Sequence, residues 1–295
     1  MTFYESHILA FVNTFSVITN HTHSTMTANI VECELVAHAS PERAKTNSWF
    51  FKTRPGQYGE GDQFIGVTVP DARKVARHFR DLPLDEVAKL LASPLHEVRL
   101  TGLLVLVERY KHCQGQVGVS RLHSADAYTH GREHVLHTKR EMQATVHCYL
   151  AHLDRVNNWD LVDVSAPQIL GVHYLTYGGE RKLYMFAKSK NLWERRIAIV
   201  ATFAFIRTGR CEHTLAIAEL LLTDIEDLLH KATGWMLREV GKRDRRVLDM
   251  FLASHGARMP RTMLRYAIEK HPESERTRIL TDFPCWREYV AQRAS

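Results

Sequence analysis

The chain has 295 residues, and its 45% hydrophobic and 24% charged content excludes intrinsically disordered, collagen-like and disulfide-scaffold proteins. The five cysteines are scattered and never form a CxxC pair, which predicts a reducing compartment and no zinc knuckle. The net charge is +6. The sequence contains no uncharged apolar window of about 18 residues or more, so we expect no transmembrane helix.

The first 30 residues contain no Lys or Arg, whereas secretory and mitochondrial leader peptides need basic residues there. We therefore expect a protein that is not secreted. We interpret residues 1–30 as a poorly ordered N-terminal extension and residues 31–295 as a single domain.

Beyond the extension the pattern is helical nearly throughout, because apolar residues recur at intervals of three and four. This periodicity predicts helices over 70–82, 84–92, 95–111, 139–153, 181–188, 192–207, 213–222, 225–241, 245–254 and 260–270. No convincing alternation of apolar and polar residues predicts a sheet. The glycine-rich segment 52–69 predicts an ordered loop, and the polar, histidine-rich segment 112–138 predicts an insertion between helices.

A repeat is visible in the helical region. Asp160, Arg196 and Lys231 each lie early in an apolar stretch with helical spacing, separated by 36 and then 35 residues. Arg99-Leu-Thr-Gly and Lys231-Ala-Thr-Gly are also alike. Such a period predicts an all-α, HEAT-like α-solenoid of antiparallel helix pairs that form a concave face. A plain helical bundle is the alternative.

The basic charge is concentrated in one stretch. Residues 181–270 hold 18 of the 39 Lys+Arg and 10 of the 33 Asp+Glu, a surplus of 8 positive charges. The densest run is residues 238–246. A basic face of this kind predicts a polyanionic partner, nucleic acid first, although a solvated helix surface is the alternative.

Three predicted helices carry a tryptophan and a charged residue three or four positions apart, a spacing that places both on one helix face. The pairs are Trp159 with Asp163, Trp193 with Arg196, and Trp235 with Arg238. Of the three tryptophans, Trp193 best fits a simple core residue. Asp160 fits a helix-terminus role, whereas Asp163, flanked by Val162 and Val164, is costly to bury without a partner or a task.

Sequence motifs for cofactors are missing. The chain has no HExxH, no GxxxxGK[ST], no strand-linked GxGxxG and no GxSxG. We therefore expect neither a metal ion nor a cofactor. The glycines of segment 52–69 fit structural turns better than a phosphate-binding loop.

Several stretches together resemble the AlkD-type DNA alkylation repair family, the HEAT-like alkylpurine DNA glycosylases. They are FFKTRPGQYGEGD at 50–62, FIGV at 64–67 followed by Pro70, NWDLVD at 158–163, WERR at 193–196 and KATGWMLRE at 231–239. In order, they span about residues 40–270. The resemblance implies hydrolysis of the N-glycosidic bond of cationic 7-alkylguanine and 3-alkyladenine in duplex DNA, which leaves an abasic site.

The resemblance also implies roles for individual residues. Asp163 matches the catalytic aspartate, Trp159 and Trp235 match the active-site tryptophans, and Arg196 and Arg238 match arginines near the DNA backbone. Secondary candidates are Asp160, Trp193, Lys231, Lys242 and Arg243. The implied partner is double-stranded DNA with alkylated purines, bound by a monomer without a membrane or a small-molecule cofactor. We accordingly expect a cytoplasmic, nucleoid-associated protein in a prokaryote and a nuclear one in a eukaryote.

Two other functions remain open. The extension at 1–30 and the insertion at 112–138 have no clear counterpart in the family pattern, and Thr68 stands where some members carry an amide. The first alternative is therefore a non-catalytic HEAT-like module that binds distorted or branched DNA. The second is a HEAT-like scaffold that binds other proteins.

Overall fold

A computed structural model describes residues 26–122 and 130–282 of the chain. Over these residues the structure is helical, and the only strand-like feature described is an isolated bridge between Gln63 and Leu95. The all-α prediction is therefore confirmed. The chain divides into two compact units, Met1–Arg109 and Tyr110–Ser295. No helix in the described ranges is long and apolar enough to cross a bilayer.

The first unit begins with short helices. They are α1 (Ala28–Val36), α2 (Pro41–Phe50), α3 (Val69–His78) and α4 (Leu84–Ala92). Helix α1 packs against α3 and α4 and buries Val31 and Leu35 completely. Residues 28–30, expected in the extension, therefore belong to a packed helix, while residues 1–25 lie outside the described ranges.

The glycine-rich segment 52–69 forms a series of turns that ends at Val69, the first residue of α3, so the predicted ordered loop is confirmed. Two buried acids fix it. Asp62 accepts a 2.5 Å hydrogen bond from Arg99, and Glu97 accepts the backbone N–H of Gly66 at 2.8 Å. Because carboxylates bind these donors, the loop is held without regular secondary structure.

Two long helices cover most of the segment 112–138, which the sequence predicts as an insertion between helices. Helix α5 covers His96–Leu122 and α6 covers His130–Ala151, so only residues 123–129 lie outside the described ranges. The polar composition reflects a solvated outer face of α5 and not a loop, while the insertion itself stays a prediction. Its inner face still buries Cys113 and Val117.

The rest of the second unit is a succession of short helices. They are α7 (Trp159–Ser165), α8 (Val172–Tyr177), α9 (Arg181–Ala187), α10 (Leu192–Ala201), α11 (Phe203–Arg207), α12 (Glu212–Leu220), α13 (Asp227–Arg243), α14 (Arg245–His255), α15 (Arg261–Ala267) and α16 (Glu273–Asp282). Helices α7, α10, α13 and α15 pack one against the next, while α9 packs against both α10 and α12. This pairing of consecutive helices matches the HEAT-like prediction. The concave DNA-binding face stays a prediction.

Two glycines permit the closest helix contacts. A Cβ atom on Gly171 would lie 2.2 Å from the carbonyl oxygen of Ala201, and one on Gly234 would lie 2.4 Å from that of Met263. Both distances are far inside van der Waals contact. Gly234 therefore lets α13 and α15 approach closely.

Candidate active site

Asp163 lies on α7, a seven-residue helix at the start of the second unit's helix succession. Asn158 is the N-cap residue, and its side-chain oxygen accepts the N–H of Trp159 at 2.8 Å. Asp160 occupies the first turn and is 8% exposed, a position where a carboxylate complements the helix dipole. One turn further along, the side chain of Asp163 keeps 19% of its surface exposed.

A bidentate ion pair joins Asp163 to Arg196, 33 residues later on α10. Arg196 donates from Nε to Oδ1 at 3.0 Å and from Nη2 to Oδ2 at 2.8 Å. Its remaining nitrogen, Nη1, donates to the carbonyl oxygen of Leu228 on α13 at 2.6 Å. One guanidinium thus ties together α7, α10 and α13.

The structure gives Arg196 a partner that differs from the expected DNA phosphate. Its side chain is only 6% exposed, and the carboxylate of Asp163 fills the side of the guanidinium fork that a phosphate would bind. The physical reason is that a nearly buried carboxylate needs a cation, and arginine matches its geometry with two parallel hydrogen bonds. The neighbouring Arg195 makes a similar pair with Asp224, at 2.6 Å, and so serves a different helix junction.

The surroundings of Asp163 have opposing effects on its pKa. Burial raises the pKa most strongly, and the charge of Asp160 raises it further, while the charge and hydrogen bonds of Arg196 lower it. The pKa lies above the usual aspartate value of 3.8 as a result. A carboxylate that is largely removed from water but keeps 19% of its side-chain surface exposed interacts strongly with a positive charge brought to it.

The three tryptophans lie on helices that pack consecutively, α7, α10 and α13. Trp159, Trp193 and Trp235 are all partly exposed. The ring of Trp235 lies 6.2 Å from the ring of Phe203, tilted by 38°. Indole faces that retain exposure have area available to a flat or cationic ligand.

Helix α13 presents a stripe of cationic and aromatic side chains. Lys231, Trp235, Arg238 and Lys242 follow one another at intervals of four, three and four, which places them on one face. Lys231 pairs with Asp227 at 2.6 Å, and Lys242 pairs with Glu239 at 2.7 Å.

Arg238, in the middle of this stripe, is held by two carboxylates, Glu239 at 3.3 Å and Glu269 in the segment after α15. Its side chain is 18% exposed. Arg243, in the last turn of α13, is exposed and makes no ion pair within the described residues. The sequence motifs do not single out Glu269, because no pattern links it to Arg238 across 31 residues.

No three His, Cys, Asp or Glu side chains group closely enough to hold a metal ion within the two described ranges. Within the glycine-rich loop, the carboxylate of Glu60 accepts a hydrogen bond from the backbone N–H of Gly56 at 2.8 Å. The candidate site is therefore built from Asp163, Arg196 and the tryptophan-bearing helices.

No curated protein matches the sequence significantly. A structure described as a predicted DNA alkylation repair enzyme from Enterococcus faecalis matches with a TM-score of 0.55 and 13% identity, over 80% of this chain and 98% of that one. At this identity the likeness supports the fold alone. The family model described as DNA alkylation repair enzyme matches residues 31–271, and the chain therefore belongs to the DNA alkylation repair enzyme family.

Proposed function

We propose that the protein is a monofunctional DNA glycosylase that acts on cationic alkylated purines in duplex DNA. Its substrates are 7-alkylguanine and 3-alkyladenine, and its product is an abasic site. The observation that carries this proposal is the bidentate ion pair between Arg196 and Asp163, which orients a carboxylate whose side chain is 19% exposed. Membership in the DNA alkylation repair family supports DNA as the partner.

The reaction needs little from the enzyme apart from charge stabilisation. The bond between C1′ and the purine nitrogen breaks, its electron pair leaves with the base, and the base departs neutral because it was cationic. The sugar becomes oxocarbenium-like, and a fixed carboxylate beside C1′ stabilises that charge. A water molecule then adds to C1′ and loses a proton to Asp163 or to solvent.

Arg196 acts in this scheme as a positioning residue for Asp163. Each carboxylate oxygen that accepts a hydrogen bond from Arg196 keeps further lone pairs for the sugar or the water. The guanidinium also favours the ionised form of the carboxylate, against the effect of burial. This role replaces the phosphate contact that the family resemblance implies for Arg196.

The partly exposed tryptophans serve as contacts for the lesion. Trp159 and Trp235 stack on the sugar or the cationic base, a cation–π contact that contributes about 0.5–2 kcal/mol each. Arg238 binds a phosphate once DNA displaces its carboxylate partners. Lys231, Lys242 and Arg243 add further charge on α13, and Trp193 and Asp160 support the site from neighbouring positions.

The direct test is base release from methylated duplex DNA, with 7-methylguanine and 3-methyladenine separated by chromatography. Asp163→Asn should slow release by about two to three orders of magnitude, the usual cost of removing one preorganised electrostatic group. Duplex affinity should remain close to that of the wild type. Asp154→Asn, a change of an exposed carboxylate just before α7, is the matched control and should behave like the wild type.

Two results would contradict the proposal. Unchanged release by Asp163→Asn would remove Asp163 from the mechanism. No release by the wild type, with tight DNA binding intact, would instead favour a non-catalytic module for distorted or branched DNA.

A further inference from the structure

Two large aromatic side chains are exposed at the end of α2, in the first unit. Trp49 is 69% exposed and Phe50 is 50% exposed, whereas the next aromatic ring, Phe51, packs onto Phe64 with 5.0 Å between ring centroids. Exposed apolar surface of this size on a helix end is unfavourable in water. It commonly marks a binding surface.

The residue that ends α2 adds a second, independent observation. The N–H of Lys52 donates to Trp49 O at 3.3 Å, and the N–H of Thr53 donates to Ser48 O at 3.3 Å. These two bonds define a Schellman motif with Lys52 at the position where glycine is preferred. Lys52 has φ +56°, a left-handed conformation that is unfavourable for a residue with a Cβ atom.

The side chain of Lys52 lies beside the exposed indole. The Nζ atom of Lys52 lies 5.6 Å from the centroid of the Trp49 ring. Lys45, four residues before Trp49, lies on the same helix face, and Arg54 follows in the loop, where it is also exposed. The nearby Glu60 is engaged by the N–H of Gly56. One cation therefore lies beside the indole, and two further exposed cations precede and follow Trp49 along the chain.

We propose that Trp49, together with Lys45, Lys52 and Arg54, is a binding site for single-stranded DNA, in which an unpaired base stacks on the indole. Flexible cations beside an exposed aromatic face are the combination that binds single strands without reading their sequence. The lysines bind the flanking phosphates, and the stacked base covers the ring that water otherwise contacts. The proposal goes beyond base release and does not depend on Asp163.

The experiment measures the binding of fluorescein-labelled oligothymidylate and of an unmodified duplex to the full chain, by anisotropy. Trp49→Ala should weaken single-strand binding about 5- to 10-fold, the loss of one base–aromatic stack. It should leave duplex binding almost unchanged. Trp49→Phe, which retains a stacking ring, should restore most of the single-strand affinity.

The contribution of the two lysines is measured by the salt dependence of single-strand binding. In Lys45→Ala and Lys52→Ala, the log–log dependence of single-strand affinity on salt should become shallower by about 0.7 for each phosphate that the lysine binds. Lys52→Gly should lower the affinity and, because glycine relieves the left-handed backbone, raise the thermal midpoint. A purely structural lysine would not combine these two effects.

Two outcomes would overturn the proposal. One is an equal loss of single-strand and duplex affinity in Trp49→Ala. The other is unchanged single-strand affinity in Trp49→Ala, whatever the change in its thermal midpoint. Asp163→Asn should bind oligothymidylate like the wild type. Base release therefore tests the proposed glycosylase activity, and oligothymidylate binding separately tests the Trp49 site.

Discussion

At the residue scale, the pairing of Asp163 with Arg196 determines how the site responds to pH. Only the ionised carboxylate stabilises an oxocarbenium-like sugar, so activity requires a pH above the pKa of Asp163 in the folded protein. Burial raises that pKa above 3.8, and therefore a larger fraction of Asp163 is protonated at mildly acidic pH than for an exposed aspartate.

We therefore predict that single-turnover base release falls as the pH decreases through this raised pKa. In Arg196→Lys the planar fork is lost, less of the ionised form is stabilised, and the fall should move to higher pH. Rates measured over a pH series for both proteins, after subtraction of spontaneous depurination, provide the check. The same pH dependence in both proteins would show that Arg196 does not tune Asp163.

Residue identities in the site were easier to predict than residue partners. The NWDLVD and WERR motifs indicate Asp163 and Arg196, and helical spacing indicates which residues share a face. Neither feature predicts that Arg196 pairs with Asp163 while the adjacent Arg195 pairs with Asp224. That choice depends on the rotation of α10 between its neighbours, which only the packed structure determines.

At the element scale, periodicity predicted the helices after residue 181 well, because their apolar faces are buried against neighbouring helices. The predicted helix at 192–207 is divided into α10 and α11 at Thr202, whose hydroxyl donates to Ile199 O at 2.6 Å. Helices α1 and α2 escaped prediction since both are short and weakly amphipathic. The long α5 and α6 were truncated in the prediction because polar, glycine-containing sequence resembles a loop.

The local likeness of Arg99-Leu-Thr-Gly and Lys231-Ala-Thr-Gly reflects helix packing. A Cβ atom on Gly102 would lie 3.1 Å from side-chain atoms of Leu90 and Leu91, and one on Gly234 would lie 2.4 Å from Met263 O. Both glycines therefore stand where another helix comes close. The repeat signal in the sequence has a steric cause at each position.

Gly234→Ala should consequently destabilise the protein by about 1–3 kcal/mol, the usual cost of overpacking, because backbone atoms of α15 must move. Gly115→Ala on α5 is the matched control: a Cβ atom there meets nothing within 4 Å, so alanine should stabilise the helix by about 0.5–1 kcal/mol. Thermal or urea unfolding of both variants measures the opposite signs. Destabilisation of equal size in both would refute the packing argument.

At the scale of the whole molecule, the basic surplus of residues 181–270 is partly neutralised within the fold. Arg195 and Arg196 pair with aspartates, and Arg245 pairs with Asp249 at 3.2 Å and with Glu275. The composition alone therefore overstates the charge available to DNA. Arg243 and Arg246 are exposed and have no ion pair in the described residues. Such arginines should therefore account for a larger share of the attraction to DNA than their number among the basic residues suggests.

This distribution predicts how duplex binding responds to salt. Each phosphate that the protein neutralises contributes about −0.9 to the slope of log affinity against log salt concentration. Arg243→Ala and Arg246→Ala should therefore each make the slope shallower by about 0.9 for every phosphate that the arginine binds. Arg73→Ala, which removes an exposed arginine on α3 outside the basic stretch, is the control and should leave the slope unchanged. Titrations of unmodified duplex at several salt concentrations give the slopes. If Arg73→Ala reduced the slope as much as Arg243→Ala, the basic stretch would not be the DNA-binding surface.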